Sequence, residues 1–278
     1  MEGNDVLEWG LLVALGFVAA AFGSIVGLGG GIIIVPSLVL LGPALTGEAI
    51  GHPTAVGTSL AVLIVTALAS TLAYAKRRKV DFRSGWLLFA ASGPSAMIGS
   101  ALTAQLRNGT FQLVFGCFML LMAALLVARD YIRPIRRQWP VRRTIAEADG
   151  TAYTYGYAVV PMLAVGCAVG AVSGLFGIGG GSLFVPVMVL LFGFPPHIAT
   201  ATSMFVIFLS SITGSAVHAW LGEIDYLLAA ALLPGAWIGG RLGAYIAGRM
   251  SGKGLLWLLR LTLIALAAQM IVEGAAAQ

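Results

Sequence analysis

Charge is what this chain has least of: 16 basic and 11 acidic residues in 278, or 10%, where a soluble domain carries roughly 25%. So few charges cannot cover a globule in water, which excludes that class, yet they suffice for short loops between membrane spans. Cysteine is nearly absent. Cys117 and Cys167 lie in separate apolar runs, which excludes a disulfide framework, and both read as buried small hydrophobes. Carboxylates are missing from the interiors of the apolar segments, since every Asp and Glu falls in a loop, a terminus or a helix start. That argues against a carboxylate proton relay or an acid-built cation site and favours an anionic solute. The nucleotide-binding pattern Gly-x-x-x-x-Gly-Lys-Ser/Thr does not occur, and no strand leads into a Gly-x-Gly-x-x-Gly, so neither an ATP-driven pump nor a dinucleotide site is expected. No metal ligands or cofactor motif stand out. The opening MEGNDVLEWG holds no Lys or Arg, unlike the basic start of a secretory signal, so the first apolar segment is expected to stay in the mature protein.

What is present is apolar: 59% of residues are hydrophobic and the mean hydropathy is +0.96. This composition reads as an all-α, polytopic membrane protein. Ten apolar segments fall at about 9–26, 32–42, 53–75, 84–105 and 110–128, then 156–176, 182–194, 197–220, 226–247 and 254–272. Most are long enough to span. The second of each set is not, because 11 to 13 helical residues cover roughly 16 to 20 Å of a hydrocarbon core of about 30 Å.

The two sets of five are copies. At an offset of 150 residues, GLGGGIIIVPSLVLL (27–41) matches GIGGGSLFVPVMVLL (177–191). At 144, Thr58-Ser59 matches Thr202-Ser203 and Val80-Asp81-Phe82 matches Ile224-Asp225-Tyr226; at 140, Pro94 and Gly99 match Pro234 and Gly239. An internal repeat therefore covers nearly the whole chain: a first repeat at 1–128, a linker at 129–155 and a second repeat at 156–278. The net charge of +5 comes from basic residues gathered in KRRKVDFR (76–83), in the linker and in RMSGK (249–253), where a topology signal is a simpler reading than nucleic-acid binding. These loops should be cytoplasmic, while GEIDY, the acidic counterpart of KRRKVDF, should lie outside, as should both termini. Matching loops of opposite charge imply two repeats of inverted topology, each a glycine-tipped hairpin with a short second arm plus three spanning helices.

The hairpin tips carry the expected chemistry. Gly27, Gly29, Gly30 and Gly31 in one half, and Gly177, Gly179, Gly180 and Gly181 in the other, permit unusual backbone angles and close approach. They leave the first N–H groups of each short helix pointing inward with the positive end of its dipole behind them, a pair of anion-binding ends near the midplane. Three consecutive glycines cost about 1 kcal/mol each inside a helix, so tight packing alone is a poor reason for them. Packing does account for Gly170 with Gly174 and Gly235 with Gly239. Ser24, Ser173 and Ser182 flank the tips, and Thr58, Ser59, Thr202 and Ser203 lie at equivalent depth, where they could donate to an oxyanion or bond neighbouring helices. Arg241 sits eight residues, about 12 Å, from Arg249 within an apolar helix, which makes it a candidate anion ligand unless it snorkels. Arg260 has the same standing. At an offset of 140 the counterpart of Arg241 is Ala101. Asp81 and Asp225 read as helix N-caps. His52, His197 and His218 fall near segment ends with no acid to orient them, and Pro36 and Pro186 read as shape rather than chemistry.

The duplicated glycine motif ending in Val-Pro, with Thr-Ser in the next helix, resembles the TauE/SafE family of sulfite exporters and toluenesulfonate uptake permeases, over essentially the whole chain. That resemblance implies a permease of the bacterial inner membrane carrying sulfite, sulfonates or related small anions. The expected activity is secondary transport by alternating access. An anion channel with the same pore elements is the alternative, and an intramembrane enzyme the weaker one, since no catalytic residues emerge. The expected partners are the small anion, the bilayer and a coupling ion, H+ or Na+, with a homo-oligomer left open.

Overall fold

The computed structural model describes residues 2–46, 50–103, 105, 108–128, 139–146, 152–250 and 252–276. Among these residues each half supplies five helices. The first contains α1 (Glu2–Val26), α2 (Gly31–Thr46), α3 (His52–Lys76), α4 (Phe82–Thr103) and α5 (Asn108–Ala128); the second contains α6 (Val159–Phe176), α7 (Gly181–Leu191), α8 (Pro196–Trp220), α9 (Tyr226–Ala247) and α10 (Gly252–Ala276). Among the described residues, α1, α3, α4, α6, α8 and α9 are long and apolar enough to cross a membrane. The protein is a polytopic all-α membrane protein.

The linker, read as loop from the sequence, contains an antiparallel hairpin of β1 (Val141–Ala146) and β2 (Ala152–Tyr157), registered from Val141↔Tyr157 to Ala146↔Ala152. The sixth apolar segment therefore begins later than 156. Gly156 and Tyr157, counted in that segment, end a strand whose last three residues, Tyr155, Gly156 and Tyr157, are buried.

Central helices α3 and α8 pack on one another, α1 packs on α9, α6 on α4, and α5 on α10. The larger contacts recur with the halves exchanged: α1 with α9 and α6 with α4, α3 with α9 and α8 with α4, and, within each half, α2 with α3 and α7 with α8. Glycines sit where these helices approach closely. Gly16 rests on the Leu232 carbonyl as Gly166 rests on that of Leu88, and Gly99 rests on the Ala171 carbonyl as Gly243 rests on that of Ala21. Gly170 and Gly174 pack on α4, and Gly235 and Gly239 on α1, as expected of glycines in a helix interface.

These pairs correct the repeat alignment. The offset stays at 144 through α4 and α9, so Gly99 corresponds to Gly243, Arg241 to Met97 rather than Ala101, and Pro94 and Pro234 are not equivalent. The two registers differ by four residues, about one helical turn, so small residues share a face in either one; the prolines pointed to the wrong choice. The cysteines also differ from expectation. Cys117 and Cys167 are exposed on the bundle surface, because in a span the apolar side chains that face outward meet lipid rather than water.

Candidate functional site

Each tip is a break of four residues between a long helix and a short one. Gly27, Gly29 and Gly30 have φ of +83°, +78° and +101°, and Gly177, Gly179 and Gly180 have +68°, +68° and +75°. Three residues in four thus occupy the left-handed region, where a Cβ costs roughly 1–2 kcal/mol per residue. In the first tip the N–H groups of Gly27, Leu28 and Gly29 all donate to the Gly23 carbonyl, at 2.8, 2.7 and 3.2 Å; in the second, Gly177 donates to Ser173 at 2.9 Å.

The tips meet. A Cβ on Gly31 would collide with the Gly177 carbonyl and stand 2.9 Å from the Ile178 Cα. Leu63 of α3 and Ile207 of α8 fill the space beside both tips, each lying within reach of a Cβ built on Gly29 or on Gly179. Residues 26–32 and 176–180 are buried throughout. Gly181 opens α7, whose N-cap Gly180 gives no side-chain cap, so the first-turn amides of this helix carry the partial positive charge of an uncapped end.

The four hydroxyl residues form a reciprocal brace. Ser59 Oγ donates to the Gly177 carbonyl and Ser203 Oγ to the Gly27 carbonyl, each at 3.0 Å. Thr58 Oγ1 accepts the Asp225 N–H and Thr202 Oγ1 accepts the Asp81 N–H, again at 3.0 Å each. Each half's Thr-Ser pair therefore holds the other half's tip and the head of its fourth helix. In this conformation these hydroxyls are committed to protein rather than turned toward a solute, because a buried tip carbonyl needs a donor. Ser24 Oγ shares a hydrogen bond of 2.5 Å with Ser70 Oγ, and its carbonyl accepts from the Tyr74 hydroxyl at 2.7 Å. Ser173 is buried beside its tip, and the Ser182 side chain lies outside the described residues.

Arg241 is not brought to the tips. It is exposed on the outer face of α9, with its guanidinium 4.7 Å from the Trp237 ring centroid, so the pattern that marked it as an intramembrane cation did not reveal which way it faced. Arg260 is buried near Trp257. His52 stacks on Phe111 and His197 meets the Tyr153 ring edge-on. His218 does have an acid: its Nδ1 lies 2.7 Å from Glu223 Oε2, which corrects the expectation that none of the histidines is oriented. The turn after α8 folds Glu223 back, five residues on.

Sequence reasoning missed two features. Leu63 and Ile207 stand one turn after Ser59 and Ser203, an i+4 spacing that could have identified them. The Asp81 carboxylate, beyond heading α4, receives Arg143 Nη2 at 3.0 Å, Tyr155 Oη at 2.7 Å and Ser84 Oγ at 2.5 Å, which ties the β-hairpin to the loop before α4. Burial would raise the Asp81 pKa, but the hydrogen bonds from Arg143, Ser84 and Tyr155 outweigh it and hold the carboxyl below its ordinary range. Burial, and then the same carboxylate, push the Tyr155 phenol up. Asp225, the counterpart of Asp81, caps α9 by accepting from Leu227 and Leu228 at 3.0 Å each.

The sequence model of the family described as sulfite exporter TauE/SafE matches residues 12–270. A probable membrane transporter protein of Bacillus subtilis, YunE, is 46% identical over 95% of this chain and 97% of its own length. A second from the same organism, YjnA, is 25% identical over 89% of this chain and 94% of its own. A probable membrane transporter protein of Methanocaldococcus jannaschii is 27% identical over 77% and 73%. No solved structure matches the chain.

Proposed function

This chain belongs to the TauE/SafE family of sulfite exporter-like membrane transporters, and from that premise we propose that it is a secondary transporter for a small oxyanion of the sulfite or sulfonate class. The observation that carries the reading is the meeting of two broken hairpins at one buried point, each anchored by a serine of the opposite half. Non-helical backbone at membrane depth persists only where protein or a watery cavity satisfies it, and two helix N-termini facing one point favour negative charge.

In this reading the two repeats have inverted topology, and the contacts that recur with the halves exchanged are those of a pseudo-two-fold pair. The conformation is closed at the centre, with the tips in contact. Rocking one repeat on the other breaks the reciprocal serine bonds in turn, which releases Ser59, Ser203 and the first-turn amides of α2 and α7 toward the solute. The anion then replaces the carbonyl partners of the same hydroxyls, so the closed state and the loaded state compete for one set of donors. Transport against a gradient needs a coupling ion, H+ or Na+. The site lies in the cytoplasmic membrane of a bacterial cell, with both termini outside.

The experiment is counterflow in proteoliposomes. Purified protein is reconstituted with sulfite, a sulfonate or a carboxylate analogue inside, and labelled solute is added outside. A carrier shows saturable uptake stimulated by the trans solute. Flux that rises linearly with concentration and ignores the trans solute would make the protein a channel with the same pore elements.

A further inference from the structure

On the outer face of the bundle, away from the tips, the last turns of α3 and α9 lie side by side: Gly240 packs on the Thr66 carbonyl and Ser70, and Gly248 on the Arg77 guanidinium. Between them is a cavity of about 350 Å³ lined by Leu72, Ala73, Lys76, Arg77, Arg241 and Tyr245. Arg241 and Tyr245 also line a depression of about 490 Å³ that continues along α9 over Trp237, Ile238 and Leu242. The two form one trough with a basic head and an apolar tail.

Among the described residues, three cations and no carboxylate line the head. Aromatic rings hold the guanidiniums in place without neutralising them. The Tyr245 ring centroid lies 4.9 Å from the Arg77 guanidinium carbon and 4.1 Å from that of Arg249, and Arg241 stacks on Trp237. Arg77 Nη1 also donates to the Tyr245 carbonyl at 3.3 Å. The tail is open to the membrane, with Ile238 58% and Leu242 41% exposed. An arginine on the lipid side of a span is costly unless it reaches the interface or meets an anion there.

We propose that this trough binds an anionic phospholipid, with the headgroup phosphate among Lys76, Arg77 and Arg241 and an acyl chain along Ile238 and Leu242. Charge complementarity selects the headgroup, and the apolar continuation selects a lipid over a free phosphate, which would use the head alone. Arg241, which looks like a solute ligand from the sequence, is thus turned to the bilayer.

The test places the purified full-length protein in nanodiscs of phosphatidylcholine, or of phosphatidylcholine with an equal share of phosphatidylglycerol. Thermal unfolding and the lipids retained in native mass spectrometry are measured. Phosphatidylglycerol should be retained preferentially and should raise the melting temperature. Arg77→Gln and Arg241→Gln should each weaken that retention roughly fivefold, as expected for one cation at an anionic surface. Arg241→Lys, which keeps the charge, should retain most of it, and it carries the comparison with Arg77→Gln if Arg241→Gln does not fold. Equal retention of the two lipids, or glutamine variants that retain phosphatidylglycerol as the parent does, would overturn the proposal. Inorganic phosphate that stabilises the protein in phosphatidylcholine as fully as the anionic lipid does would make the head a soluble-ion site and end the lipid assignment.

Discussion

At the scale of single residues, the site depends on what is missing from the side chains. Gly31 lies outside the left-handed positions, so its role is purely steric: a methyl group there meets the Gly177 carbonyl. Gly31→Ala should therefore abolish counterflow, with the protein still inserting, whereas Gly10→Ala, which meets nothing within 4 Å, should transport normally and gain up to about 1 kcal/mol of helix stability. A transporting Gly31→Ala protein would mean that the tips do not need to touch. Ser59→Ala and Ser203→Ala each leave a buried carbonyl without its donor, so each should lower unfolding stability by about 1–3 kcal/mol in detergent melts. The glycines and the Thr-Ser pairs were legible in the sequence because they recur at constant offsets. Their bonding was not, since the acceptor of Ser59 lies 118 residues away, in the other half.

Among the elements, the β-hairpin is the one the sequence hid. Its strands are short and the first carries two arginines, so they read as a charged linker, and what holds them is the Asp81 carboxylate at the head of α4. The sign of its pH dependence follows from the lowered carboxyl pKa. The contribution is present above the unfolded pKa, near the ordinary 3.8, and is lost as pH falls through the lower folded value. The melting temperatures of the parent protein and Asp81→Asn should therefore differ at neutral pH and converge below the ordinary carboxyl range. Because Arg143 is partly exposed, a difference of about 1–3 kcal/mol is expected, less than for a fully buried pair. Hydrogen exchange in β1 and β2 should rise in the variant while α3 stays protected. Protected strands would show that the hairpin docks through Tyr155, Tyr157 and Trp139 against Phe192 and Phe194 alone.

For the whole molecule, the prediction of greatest consequence concerns orientation. If the repeats are inverted, the loop after α3 and the loop after α8 face opposite sides of the membrane. After Cys117 and Cys167 are replaced by alanine, Leu221→Cys should react in intact cells with a membrane-impermeant thiol reagent, and Lys76→Cys should react only after permeabilisation. Both positions are exposed, so burial does not confound the comparison. Labelling of both from outside would rule out inverted repeats, and with them rocking about a shared centre.

Composition and periodicity alone determined the class, the number of apolar segments and the duplication, because lipid demands long apolar helices and a repeat leaves its motif twice. The tertiary structure decided which residues face inward. On a membrane helix hydrophobicity no longer separates core from surface, since lipid and protein interior are both apolar. That is why Cys117, Cys167 and Arg241 turned out to face the lipid side, while the meeting of the two tips, and the serines that hold them, came only from the packing of one half on the other.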